Sequence, residues 1–305
     1  MNAARPRTSS HQERSMTTYA VTGATGHLGR LAVEDLLTRG VPAADVIAIV
    51  RTPAKAADLA ERGVQVREGD YDRPDTLPAA LAGVERLLLV SGSEIGRRLP
   101  QHEAVITAAK AAGVSRIVYT SLLKADTTSL PIAGEHVGTE ALLREAGVPF
   151  TVLRNGWYTE NYTGQLSRYL GTGAVVGATA AGRISAATRA DFAAAAVSAL
   201  VDGAEATGAV RELGGPAFTL AELAATITEV TGTPVAHQDL SGEQYSATLQ
   251  QASLDEGTAG FFAAVDAAIA HGDLHTDSDA LTRLLGRPAT SLSDAVRAAH
   301  TTHTA

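Results

Sequence analysis

The segment TGATGHLG, residues 22–29, places glycines at Gly23, Gly26 and Gly29, directly after a short apolar run and directly before an amphipathic one. In that setting the first glycine permits a tight turn, the second lets backbone amides approach a pyrophosphate, and the third lets a helix pack on a strand. Anionic phosphates then meet the positive end of the helix. The backbone of Gly23, Ala24, Thr25, Gly26, His27, Leu28 and Gly29 is therefore the candidate dinucleotide cradle. A second apolar run, DVIAIV, ends in RTPAK, where an acidic residue would hydrogen-bond a free ribose hydroxyl. Arg51 instead offers a 2′-phosphate a planar, permanently charged fork, and Lys55 lies one helical turn further on. The expected cofactor is NADP(H).

Such a loop works only when a strand and a helix hold it. The runs YAVTG, DVIAIV, VQVREGD, RLLLVSG, SRIVYTS and PFTVLRN alternate with alanine-rich, charged segments of helical periodicity. This alternation predicts an α/β fold, a Rossmann-type doubly wound parallel sheet with helices on both faces. Strands covered on both faces are short and apolar throughout, as these are. GAVRELGG, residues 208–215, reads as one more strand returning to the sheet. Beyond it only helices are expected, capped at Thr219, Ser241 and Ser291 and ending near His300. Residues 16–155, with the returning strand, form the expected NADP-binding domain; 156–207 and 216–305 form a smaller, mainly helical substrate lobe. Residues 1–15, MNAARPRTSSHQERS, lack any apolar stretch, so they are read as a disordered extension rather than a secretory signal.

Composition removes several classes of function. The formal net charge is -8 and no window forms a basic face, so nucleic acid and anionic membranes are not expected partners. The absence of cysteine excludes disulfides, thiolate catalysis and cysteine-ligated metals. The nine histidines lack metal-ligand spacing, and no metal site is expected. A cytoplasmic location is expected. Aromatic residues, scarce elsewhere, concentrate in NGWYTENYTGQLSRYLGTG, residues 155–173, which holds the only tryptophan. This segment follows the last strand of the first domain, where the ligand crevice of such a sheet opens. Its mixture of aromatics with Asn155, Glu160 and Asn161 suits the lining of a site.

The series TGATGHLG, AIVRTPAKA, GDYDRPDTL, LLLVSGSEIG, AAKAAGVSRIVYTSLL, GEHVGTEALLREAGVPFTVLRNGWYTENY and SAATRADFAAAA resembles the NmrA-like, atypical short-chain dehydrogenases. Within them it resembles most the branch of bacterial NAD(P)H:quinone oxidoreductases. LRNGWYTENY and ATRADFAAAA are the most specific segments. The resemblance implies a flavin-free, homodimeric quinone reductase that uses NADPH. On this chain it implies that Gly23 to Leu28 hold the pyrophosphate and Arg51 the 2′-phosphate. It puts Asp70 and Tyr71 by the adenine and Ser91 and Gly92 beside the ribose. Arg154, Asn155, Gly156, Trp157, Tyr158 and Thr159 would then border the nicotinamide and the acceptor.

The chemistry available agrees with that implication. Alcohol-oxidising short-chain dehydrogenases place a tyrosine and a lysine one helical turn apart to exchange a proton, but here those positions hold His136 and Glu140. Tyr119 and Lys124 lie on a strand-to-loop segment, the wrong element for that pair, and Tyr119 is read as structural. A quinone tolerates the loss, because it is already electrophilic and ring positioning supplies most of the catalysis. Asn155, Tyr158 and Asn161 are the candidate catalytic donors to the developing oxyanion. Trp157, Tyr162, Phe261 and Phe262 are the candidates for lining the acceptor space. His136 is either a proton donor or a helix-surface residue. The rival function is a redox sensor of the NmrA type that binds NADP(H) without turnover.

Overall fold

The computed structural model describes residues 17–202 and 207–304; the extension expected at 1–15 lies outside them. Strand and helix alternate through β1 (Tyr19–Thr22), α1 (His27–Thr38), β2 (Val46–Val50), α2 (Ala57–Glu61), β3 (Gln65–Glu68), α3 (Leu77–Leu81), β4 (Arg86–Leu89), α4 (Arg98–Ala111), β5 (Arg116–Leu122), α5 (Ala133–Ala146) and β6 (Phe150–Asn155). There follow α6 (Glu160–Thr163), α7 (Leu166–Thr172), β7 (Ala174–Gly177) and α8 (Arg189–Asp202). The rest comprises β8 (Ala209–Leu213), α9 (Leu220–Thr231), β9 (Ala236–Asp239), α10 (Gly242–Gln251), α11 (Glu256–Ala270), α12 (Ala280–Leu285) and α13 (Leu292–Thr304). Seven strands form one parallel sheet in the order β3-β2-β1-β4-β5-β6-β8. Strand order reverses beside β1, which opens a ligand crevice at the carboxyl ends of β1 and β4.

Side chains alternate across a strand, and that alternation sorts the sheet's apolar residues into two cores. Val21, Ala48, Val50, Leu88, Val118 and Leu153 pack on one face with α1 and α8. Ala20, Ile47, Ile49, Leu87, Leu89, Ile117 and Val152 pack on the other with α3, α4 and α5. In α1, Leu28, Ala32, Val33 and Leu36 recur at helical spacing and are buried, which fixes the helix against the sheet directly behind the glycine loop.

The second lobe has its own core, built from Tyr162, Leu166, Tyr169, Ile184, Phe218, Leu223, Ile227, Val265, Ile269 and Val296. Thr219 and Ser241 form capping boxes, and Ser291 accepts the Asp294 N–H at 3.1 Å. The expectation of helices alone beyond residue 215 does not hold: β9 pairs in parallel with β7. Its sequence, AHQD, is mostly exposed and has one neighbouring strand, so no apolar alternation marks it. The segment 216–305 is also not confined to this lobe. Leu281 of α12 is buried in the core shared with α1 and α8, and Arg287 reaches the buried Asp191 at 2.8 Å. Among the described residues no helix is long and apolar enough to cross a membrane.

Candidate functional site

A crevice of about 870 Å³ runs from the glycine loop across the ends of β1, β4 and β6 to the aromatic segment. At the loop, Gly23 sits at φ +59°, a conformation that favours glycine, and Gly26 N–H closes the turn onto the Gly23 carbonyl at 2.8 Å. Gly26 then caps α1 without a side chain in the way. The first-turn amides of α1, at His27, Leu28 and Gly29, have no partner in the helix, and all three residues line the crevice. A Cβ at Gly29 would fall against the Gly23 carbonyl, so the third glycine lets the helix pack, as its spacing suggested. Ala24 is the exception in the cradle. Its side chain is fully buried and its N–H bonds to the Ile49 carbonyl at 3.3 Å, so it braces the loop against β2 rather than facing a ligand.

Arg51 and Lys55 stand on the crevice wall beyond β2. Arg51 Nη1 meets Glu94 Oε1 at 2.9 Å, and the rest of its largely exposed guanidinium remains open to an anion in the crevice. Asp70 and Tyr71 beyond β3, and Ser91 and Gly92 beyond β4, line the same wall. Tyr71 Oη donates to the Val90 carbonyl at 3.2 Å, and burial pushes its phenol up, so it stays protonated. The loop after β4 is fastened at several points. Gly92 N–H donates to His102 Nε2 at 3.0 Å, Arg98 Nε donates to the Gly92 carbonyl at 2.8 Å, and Glu135 on α5 accepts the Gly96 and Arg98 amides.

At the far end, Asn155 closes β6 with its side chain 4% exposed, and neither atom of its carboxamide has a hydrogen-bond partner. A buried unpaired amide costs about 1–3 kcal/mol, a cost that a hydrogen-bonding group in the crevice would relieve. Gly156, Trp157, Tyr158 and Asn161 line the crevice beside it. The Arg189 guanidinium lies 4.6 Å from the Tyr158 ring centroid and donates to Asn161 Oδ1 at 3.2 Å, which fixes the orientation of that carboxamide.

Several expected site residues point elsewhere. Arg154 precedes Asn155 on β6 and so faces the opposite side of the sheet. It is buried there, bonded to Glu140, Glu212 and Asp126. Thr159 is 3% exposed and gives its N–H to the Ala187 carbonyl. Tyr162 packs edge-on against Phe218 within the second core. Phe261 packs against that same core and Phe262 is 39% exposed; α11 carries both away from the crevice wall. Sequence reasoning missed Glu94, Arg98, Gln101, Ser121 and Arg189, all of which line it. The charged pair in SGSEIGRR, placed directly after a strand, was a usable signal for the first two, and ATRADF carried the last. His136 is not a helix-surface residue: it is 4% exposed and lines the crevice.

An open pyrophosphate cradle at a helix start, cations at the end of β2 and an orphaned carboxamide at the end of β6 together fit an extended dinucleotide. Comparison with known proteins agrees. Residues 23–203 match a family described as NAD(P)H-binding. The chain is 48% identical to "Quinone oxidoreductase 2" of Escherichia coli over 91% of this chain and 96% of that protein. It is 29% identical to an "NmrA-like family domain-containing oxidoreductase" of Aspergillus flavus over 92% of this chain and 94% of that one. Among solved structures it is similar to an NADPH-dependent quinone oxidoreductase from Escherichia coli complexed with NADPH. That match has a TM-score of 0.88 and 47% identity, and covers 92% of this chain and 98% of the other.

Proposed function

This chain belongs to the NAD(P)H-binding family, and we propose that within it the protein is a flavin-free oxidoreductase that reduces quinones with NADPH. One observation carries the reading. The NADP-type crevice ends against Asn155, Trp157, Tyr158 and Asn161, with no tyrosine–lysine pair to exchange an alcohol proton. Tyr119 is fully buried, and Lys124 Nζ is committed to the Gly272 carbonyl at 2.9 Å. Bound NADPH supplies hydride and leaves as NADP+. A quinone that receives it becomes a hydroquinone monoanion, and one proton from water completes the hydroquinone. The residues of this chain orient the ring and stabilise the oxygen that turns anionic: Trp157 and Tyr158 offer aromatic surface, and Asn155 and Asn161 offer amide donors.

The test is the fall of NADPH absorbance on adding a small benzoquinone to protein without flavin or metal. Trp157→Ala and Asn161→Ala should lower kcat about 10- to 100-fold and change NADPH affinity less than about threefold. Stopped-flow absorbance and NADPH titration on the same variants separate the two effects. No quinone-dependent oxidation by a protein that binds NADPH would leave the sensor reading in place of the enzyme.

We assign Arg51 and Lys55 to the 2′-phosphate. Arg51→Asp replaces a charge-assisted contact with repulsion, and should weaken NADPH binding about 30- to 100-fold while NADH binding changes little. Equal losses for both cofactors would remove Arg51 from that role. A cytoplasmic location and a homodimer complete the proposal; sedimentation velocity checks the second.

A further inference from the structure

His136 stands on α5 and lines the crevice, and its two nitrogens meet different surroundings. Nδ1 lies 2.7 Å from Tyr119 Oη. This is the short contact of the Tyr119 hydroxyl, and the Thr139 hydroxyl lies beside it. Tyr119 is fully buried, and burial pushes its phenol up, so it keeps its proton and must donate it. Thr139 gives its own proton to the Glu135 carbonyl at 2.8 Å and already accepts the Nδ1–H of His102 at 2.9 Å, since His102 Nε2 is taken up by the Gly92 amide, so it is the weaker acceptor for the Tyr119 proton. Tyr119 therefore donates to His136 Nδ1, and in a neutral imidazole the remaining proton is then on Nε2. That nitrogen has no protein partner among the described residues and is not sealed from the crevice. His136 shares this end of the crevice wall with Ser121, Ile132 and Asn155.

We propose that His136 donates a fixed Nε2–H hydrogen bond to the quinone oxygen as negative charge develops on it, and that Tyr119 is the positioning residue that selects this tautomer. The role rests on the quinone-reductase reading above. His136 keeps its proton throughout: the hydroquinone monoanion takes its last proton from water, and no net charge moves through the imidazole. Burial, followed by the nearby Arg98 charge and then His102, pushes the ring down to about 3, so it is neutral across the working range. The groups that face it are Tyr119 from β5 and Arg98 and His102 from α4. Arg98 disfavours an imidazolium for the same reason that it favours an anionic oxygen nearby.

Two readouts test the proposal. Histidine-selective 15N labelling, with the His136 signal assigned by its loss in His136→Gln, should show the Nε2–H tautomer in the resting protein, and Tyr119→Phe should turn it into a mixture of tautomers. In steady state with benzoquinone, His136→Leu should lower kcat about 10- to 100-fold while NADPH affinity, by direct titration, moves less than about threefold. His136→Gln, whose amide reaches about as far as Nε2, should recover most of the loss; Tyr119→Phe should fall between the two. The kcat of the wild-type protein should stay flat from about pH 5.5 to 8, with no inflection at the ordinary histidine pKa. An Nδ1–H tautomer, a wild-type kcat in His136→Leu, or a loss of NADPH affinity that matches the loss in kcat would each overturn this role alone. A wild-type protein inert to quinones would overturn the function it rests on as well.

Discussion

Gly26→Val will cost NADPH binding roughly 4 kcal/mol or more, about a thousandfold, in a protein that still folds. Gly26 has φ -81° and ψ 167°, extended backbone that any residue adopts. A Cβ there would come within 3.2 Å of the Gly23 carbonyl oxygen, a tight contact that a small shift relieves. The residue is exposed on the crevice wall, so the added methyls project into the space the pyrophosphate needs and cover the first-turn amides of α1. NADPH titration by fluorescence should show no saturable binding, with far-UV circular dichroism and the melting temperature close to wild type. Gly29→Ala is the counterpart. Its methyl would strike the Gly23 carbonyl from inside the turn, so it should lower the melting temperature before it affects affinity. Retained NADPH affinity in Gly26→Val would show that the phosphates are held elsewhere.

The second large effect lies beneath the sheet rather than in the crevice. Glu140 is 1% exposed and accepts hydrogen bonds from Arg154 Nε at 2.9 Å, Arg154 Nη2 at 2.8 Å and Ser121 Oγ at 2.8 Å. Glu140→Ala would strand the buried side of the Arg154 guanidinium and should cost about 3–5 kcal/mol. For a chain of this size the melting temperature should fall by about 6–15 °C. Replacing both partners, Glu140→Leu with Arg154→Met, should lose much less, because neither charge is then left buried alone. Differential scanning calorimetry on the two variants decides the matter. A single variant that melts like the wild type would mean that Asp126 and Glu212 suffice to hold Arg154.

What could be read from the sequence follows from how local each signal is. The glycine loop, the sheet strands and the caps at Thr219 and Ser241 rest on backbone geometry and near-neighbour spacing, and the structure repeats them almost residue for residue. Arg51 was legible because the end of a strand in this fold faces the crevice. α5 was not legible in the same way. Three of its five buried residues are polar, His136, Thr139 and Glu140, and each meets a partner on another element. An apolar periodicity cannot reveal a face built like that, and so the sequence left His136 open between a proton donor and a helix-surface residue. Phe261 and Phe262 failed for a related reason: aromatic content says that a residue will pack, but the placement of α11 decides against what.

The route of the backbone bears on how such a protein can change over evolutionary time. The chain leaves the sheet after β6, returns at α8 and β8, leaves again, sets α12 against α8, and finishes with α13 in the second lobe. No single cut divides it into the sheet domain and the second lobe. Recombination therefore cannot exchange the second lobe as one contiguous cassette, whereas most of the residues assigned above to the acceptor, Asn155, Trp157, Tyr158 and Asn161, sit in one short segment that substitution can reach.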